Sequence, residues 1–157
     1  MCNLYRLRSV ERWEIAEATG ADETWARSCE VEKDYVAPGG PGYVVRYEEG
    51  RRVLDGMRWG YPNPESGKKK AHWFSVPSRR VFTFAGAWRH TDKGPVFAFL
   101  TCGYEDDNPA AHIVGRIYPK ACPVILHKED EERWLTGKLD RALSLAWAYP
   151  SQLISVE

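Results

Sequence analysis

No sign of charge dominates this sequence: 22 Lys and Arg stand against 22 Asp and Glu, so affinity for a polyanion has to come from local clustering. Cysteine is scarce. The four cysteines, Cys2, Cys29, Cys102 and Cys122, include no pair in C-x-x-C spacing, which argues against a zinc centre, and no metal or other cofactor is expected. No apolar run approaches the roughly 20 residues that span a bilayer, and Met1-Cys2-Asn3-Leu4-Tyr5-Arg6 lacks the apolar stretch of a signal peptide. The expected setting is therefore the cytoplasm, with no membrane partner and no framework of structural disulfides; the expected state is a monomer. There is no internal repeat and no low-complexity tract.

What is present is the composition of a folded domain: 157 residues and 18.0 kDa, 43% apolar, 28% charged, with seven tryptophans in a 13% aromatic share. Most of those rings are expected in a core, and a few could stack on a planar ligand. Ser9 is placed to cap a helix over 9–19, with Val10, Trp13 and Ala16 on one face and Gly20 at its stop. Ala37-Pro38-Gly39-Gly40-Pro41-Gly42 reads as a turn or ligand-facing loop. Residues 43–47 and 51–59 read as a hairpin around Glu48-Glu49-Gly50. The stretch 61–70 holds two prolines and Lys68-Lys69-Lys70 and reads as a surface crossing. Beyond it, 72–76 and 81–88 are predicted as a second hairpin, 96–101 as a strand, and 122–126 as a buried strand. Helical spacing over 128–135 and 139–147, split at Gly137, completes the pattern. The sum is an α+β fold, a single domain over 1–157 with a mostly antiparallel β core and helices near both ends.

Cys2 carries the most chemistry. Removal of Met1 would leave a cysteine with both a free α-amine and a thiol. Such an amine has an ordinary pKa of about 7.7 to 8.0, so a useful fraction is unprotonated at neutral pH and can attack an aldehyde. The thiol can then close a five-membered thiazolidine ring.

The residues around Cys2 carry a resemblance. Met1-Cys2-Asn3-Leu4-Tyr5-Arg6, Ala37-Pro38-Gly39-Gly40-Pro41, Met57-Arg58-Trp59-Gly60-Tyr61-Pro62, His72-Trp73-Phe74, Phe82-Thr83-Phe84-Ala85-Gly86-Ala87-Trp88 and Ile117-Tyr118-Pro119-Lys120-Ala121-Cys122-Pro123-Val124-Ile125-Leu126 stand in one order. In that order the chain resembles the SOS response-associated peptidase (SRAP) family of abasic-site processing proteins, over residue 1 to about residue 147. The resemblance implies a cysteine at position 2 that traps the ring-opened sugar of an abasic site in single-stranded DNA as a thiazolidine. It also implies peptidase-like self-processing that removes the residue before that cysteine.

The chain departs from the family pattern near 63–71, where an internal segment is missing and with it the positions of the family's active-site asparagine and glutamate. The family histidine is Tyr118 here, a phenol that can donate a hydrogen bond but is a poor base at neutral pH. Crosslinking is therefore expected to be weakened, and a catalytically silent member that binds DNA or protein is the alternative. By family position the DNA-binding candidates are Pro38, Trp59, Thr101 and Lys120; Arg6 joins them for its closeness to Cys2 in sequence. Trp59 reads equally as core, Lys120 as an exposed charge and Thr101 as ordinary strand propensity. Arg79-Arg80 and Lys68-Lys69-Lys70 read as solubility charges on turns, Asp106-Asp107-Asn108 as a solvated turn, and His112 takes no role.

Overall fold

In the computed structural model, residues 5–7, 9–23, 31, 34–60 and 72–157 are described. Cys2, Cys29 and the 61–70 crossing lie outside them. The fold is α+β with mostly antiparallel pairing, built as two compact units: Cys2–Glu65 with Ala87–Ala98, and Ser66–Gly86 with Phe99–Glu157.

The first unit is organised by a hairpin. β3 (Pro41–Glu48) and β4 (Arg51–Trp59) pair antiparallel from Pro41↔Arg58 to Glu48↔Arg51. Between them Glu49 and Gly50 both take positive φ (48° and 81°), the two-residue turn whose twist matches that of the strands. β3 thus begins at Pro41, inside the segment expected to be loop. β4 is central: it joins β7 (Gly94–Phe99) in parallel at Arg58↔Val96 and Trp59↔Phe97, and β7 is followed at the sheet edge by β6 (Gly86–Thr91). Further down β4, Asp22 forms a parallel bridge to Val53.

The helix of this unit, α1, runs Arg12–Thr19. Its cap is Glu11, not Ser9: the Glu14 carboxylate accepts the Glu11 N–H at 2.8 Å, while Ser9 takes positive φ and donates its N–H to Asp34 Oδ1 at 3.0 Å. Gly20 ends the helix in the left-handed conformation, and Ala21 N–H returns to Ala16 O. The buried face is Ile15, Ala16 and Thr19, with Ile15 and Ala16 packed on Leu54 of β4. Trp13, expected on that face, is 56% exposed. β1 (Tyr5–Arg6) pairs antiparallel with β2 (Tyr35–Val36), a strand pair that no local pattern predicts.

The second unit is organised around the apolar run 122–126, whose residues are all buried as expected. Val124 donates to Leu100 O at 3.1 Å, Ala85 donates to Val124 O at 2.8 Å, and Leu126 donates to Thr83 O at 3.0 Å. One side packs with Val76, Tyr104, Val114, Tyr149 and Ile154, the other with Ala85 and Leu145. β8 (Thr101–Cys102) and β9 (Cys122–Pro123) are the regular part of this ladder, antiparallel with Thr101↔Pro123 and Cys102↔Cys122 in register. Pro123 has no N–H to give, yet a ladder tolerates it where the opposite pair exchanges no hydrogen bonds.

The predicted pairing of 72–76 with 81–88 does not form. β5 (Phe74–Ser75) instead pairs antiparallel with β10 (Ser155–Val156), and the hairpin of this region is β6–β7, closed over Asp92-Lys93 with Gly94 at φ 98°. Helical segments follow the run: a 3₁₀ turn at Lys128–Asp130, α2 (Glu131–Thr136) and α3 (Leu139–Leu143), divided at Gly137 as the sequence suggests.

Arg79 is not a solubility charge. Its guanidinium donates to Leu126 O at 2.8 Å and pairs with Glu131 Oε1 at 2.9 Å, and its side chain is only 18% exposed. Glu131, 4% exposed, also receives Thr83 Oγ1 at 3.0 Å and Lys128 Nζ at 3.0 Å, tying the start of α2 to the 79–83 segment. Among the described residues no helix is long and apolar enough to cross a membrane.

Candidate functional site

The first unit gathers the chain's N-terminal strand, the Pro38 loop and the end of β4. Chain direction at the N-terminus is set by several ties. Beyond the β1–β2 pairing, Leu7 N–H donates to Asp34 O at 2.7 Å. Tyr5 lies over Gly42 of β3, where a side chain would run into the Tyr5 phenol oxygen, Val36 Cγ1 and Phe97 Cζ. Gly42 is needed for close approach rather than for any special backbone angle. The Tyr5 ring meets Trp59 at 5.7 Å between centroids, and Trp59 lies 6.2 Å from Phe97 with the planes nearly parallel.

Trp59, 8% exposed, is therefore a core ring of this unit. The Pro38 loop is laced to it by main chain: Gly39 N–H donates to Trp59 O at 2.7 Å, Trp59 N–H donates to Gly40 O at 2.9 Å, and Arg58 Nη1 donates to Gly39 O at 2.8 Å. Pro38 itself is half-buried at a turn. Arg6 leaves β1 to place its guanidinium 4.6 Å from the centre of the Tyr35 ring, and it also donates to the Tyr35 hydroxyl. Tyr35 is 44% exposed. This aromatic–cation pair was not legible in the sequence, because its members meet through the β1–β2 pairing.

Burial pushes the Tyr5 phenol well above its ordinary value of 10.0, and burial raises Tyr43 beside it as well. Below that ordinary value both folded and unfolded chains keep the Tyr5 proton, and its contribution to stability is complete. Above it the unfolded chain releases the proton while the folded one holds it, so stability falls as pH rises toward the folded value. The expected result is a urea midpoint that declines from about pH 9 to about pH 11, with Tyr5→Phe declining less steeply. An unchanged slope in Tyr5→Phe would refute the assignment.

The second unit carries Thr101, Tyr118 and Lys120. Thr101 is exposed on β8 opposite Pro123, and Lys120 is exposed in the turn that enters β9. Tyr118 is half-buried, packed against the cluster that contains Val114, Cys122 and Ile125. Its turn is clamped by Tyr104, whose hydroxyl donates to Tyr118 O at 2.6 Å and Ala121 O at 3.1 Å. Tyr104 is a positioning residue that the sequence pattern did not single out. His112 spends its ring on main chain: Nε2 donates to Tyr149 O at 2.8 Å and Nδ1 accepts the Val114 N–H at 3.2 Å. That is a structural tie, and the acidic Glu105–Asp107 segment is an exposed 3₁₀ turn. No cluster of three or more metal-binding side chains occurs among the described residues. Cys2 lies outside them.

No protein-family model matches the chain, and a search of the curated proteins finds no match either. Among solved structures the chain is similar to a Northeast Structural Genomics Consortium target from Bordetella bronchiseptica, with a TM-score of 0.69 over 99% of this chain and 98% of that one at 15% identity. A second target, from Bacteroides thetaiotaomicron, aligns with a TM-score of 0.44 and 17% identity over 78% of this chain and 47% of that one. The first of these likenesses establishes a shared fold spanning nearly the whole of both chains.

Proposed function

We propose that this chain is a divergent member of the SRAP family that captures abasic sites in single-stranded DNA through Cys2 after Met1 removal, as a DNA-damage response protein of the cytoplasm. The observation that carries the reading is the anchored N-terminal strand. Tyr5, three residues after Cys2, is fixed over Gly42, and a chain of that length keeps the Cys2 Cα within about 11 Å of the Tyr5 Cα. Tyr5 packs on Trp59, whose main chain holds the Pro38 loop, so the segment that follows Cys2 in the sequence is tied to that loop and to Arg6.

In the reaction the α-amine adds to the sugar aldehyde and expels water as an imine; the Cys2 sulfur adds to the imine carbon, and nitrogen takes the thiol proton to give the thiazolidine. Arg6 supplies positive charge for a phosphate, and Tyr35 rather than Trp59 offers the exposed ring on which a base can stack. Lys120 and Thr101 are exposed in the other unit, taken by itself.

Met1-processed protein incubated with single-stranded DNA containing an abasic site is expected to give a shifted band on a denaturing gel, and Cys2→Ala to give none. The absence of any Cys2-dependent band defeats the capture reading. The second reading, a catalytically silent member that retains a binding surface, is favoured by Tyr118, whose ring is committed to packing at the family's histidine position. Salt-sensitive binding to single-stranded DNA with no covalent band distinguishes it.

A further inference from the structure

Cys102 and Cys122 are both thiols, and they stand directly opposite each other across β8 and β9. Residues opposed in an antiparallel ladder have Cα atoms about 4.5 to 5.5 Å apart and side chains on the same face. Disulfides span Cα separations of about 4.4 to 6.8 Å, a range that includes the separation of residues opposed in such a ladder. The two residues already interact: the Cys102 thiol donates to the main-chain Cys122 O at 3.7 Å, and a side-chain hydrogen bond from Cys122 draws the Cys102 thiol below its ordinary value. The pair is also asymmetric, since Cys122 is 1% exposed while Cys102 is half-buried and open to a small oxidant.

We propose that Cys102 and Cys122 form a reversible oxidation site, in which hydrogen peroxide converts the cross-strand dithiol to a disulfide. The Cys102 thiolate attacks a peroxide oxygen, the O–O bond breaks, and a sulfenic acid forms as hydroxide leaves and takes a proton to become water. The Cys122 sulfur then attacks the sulfenyl sulfur of Cys102, the S–O bond breaks, and a second water departs with the Cys122 proton. Two thiols and one peroxide give one disulfide and two waters. The site is separate from the DNA chemistry of Cys2 and does not depend on it. It brackets the segment from Gly103 to Ala121, which contains Tyr118 and Lys120, so the oxidised form closes that segment into a covalent loop.

The test uses the whole chain, reduced, exposed to hydrogen peroxide, alkylated and mapped by peptide mass. The expected result is a linked peptide joining Cys102 to Cys122, two hydrogens lighter than the reduced pair and lost on treatment with dithiothreitol. In Cys102→Ser, Cys122 is expected to stay open to alkylation after unfolding, since its burial denies peroxide direct access. The proposal is overturned by a disulfide that instead uses Cys2 or Cys29, or by Cys102 passing to sulfinic acid while Cys122 remains a thiol. It is equally overturned if Cys122 is oxidised in Cys102→Ser. The wild-type map decides the question without any variant.

Discussion

Glu131→Ala is expected to destabilise the protein by about 1.5–3 kcal/mol, because it removes the buried anionic partner of a half-buried cation and leaves the cation in place. Arg79 is held by Glu131 Oε1 and by Leu126 O, and its side chain is largely withdrawn from water. With the carboxylate gone, the guanidinium keeps its main-chain acceptor but loses its counter-charge, and the hydroxyl of Thr83 loses an acceptor. Lys128 is half-exposed and can turn to solvent, so it adds little to the loss. Glu131→Gln keeps the shape and one acceptor oxygen and should cost less than the alanine change. The double variant Arg79→Met with Glu131→Leu is expected to recover much of the stability, since a well-packed apolar pair avoids the desolvation that the ions undergo. Urea midpoints of the three variants check this. A loss below about 1 kcal/mol for Glu131→Ala would mean that the pair behaves like a surface bridge, against the burial seen here.

That ion pair also marks where sequence reading stopped. Arg79 beside Arg80 after Pro77-Ser78 has the look of a charged turn, and nothing within the span of a local pattern reveals a carboxylate 52 residues away. By contrast the β3–β4 hairpin was legible because its whole specification is local: two strand-forming runs flank a short turn in which Gly50 supplies a positive φ at little cost. The second hairpin was misplaced for a related reason. The aromatic run from 81 drew attention to strand propensity, whereas the turn that sets the pairing is Asp92-Lys93-Gly94, where Gly94 again supplies the positive φ. The two-residue pairs β1–β2 and β5–β10 bring Tyr5 to Val36 and Ser75 to Ser155, and pairs of that kind are specified by tertiary packing rather than by periodicity. For α1 the expected face holds at Val10 and Ala16, which pack with Leu54, and fails at Trp13, whose place is taken by Ile15. At the candidate site the Gly- and Pro-rich loop announced itself, while the burial of Trp59 and the exposure of Tyr35 depended on which ring the β1 strand covers.

Gly42→Ala is expected to disturb the protein out of proportion to one methyl group, because the new Cβ would occupy the place of the Tyr5 phenol oxygen and press on Val36 and Phe97. Overpacking of this kind costs about 1–3 kcal/mol when neighbours are well packed, and here the neighbours are a core ring and a buried valine. The least costly relief is displacement of Tyr5, which pulls on β1 and so on the residues that precede it. The urea midpoint should therefore fall and, under the proposed capture by Cys2, the covalent band with abasic-site DNA should form more slowly. Tyr5→Phe removes the oxygen nearest the new methyl, so Gly42→Ala should cost less in the Tyr5→Phe background than in the wild type. A coupling of about 0.5–3 kcal/mol between the two changes is the expected outcome of the double-mutant cycle. If the two changes add independently, Tyr5 does not lie on Gly42 and no wedged aromatic holds β1 in place. If stability falls with coupling but the rate of any Cys2-dependent band is unchanged, the wedge is structural only and plays no part in the proposed capture.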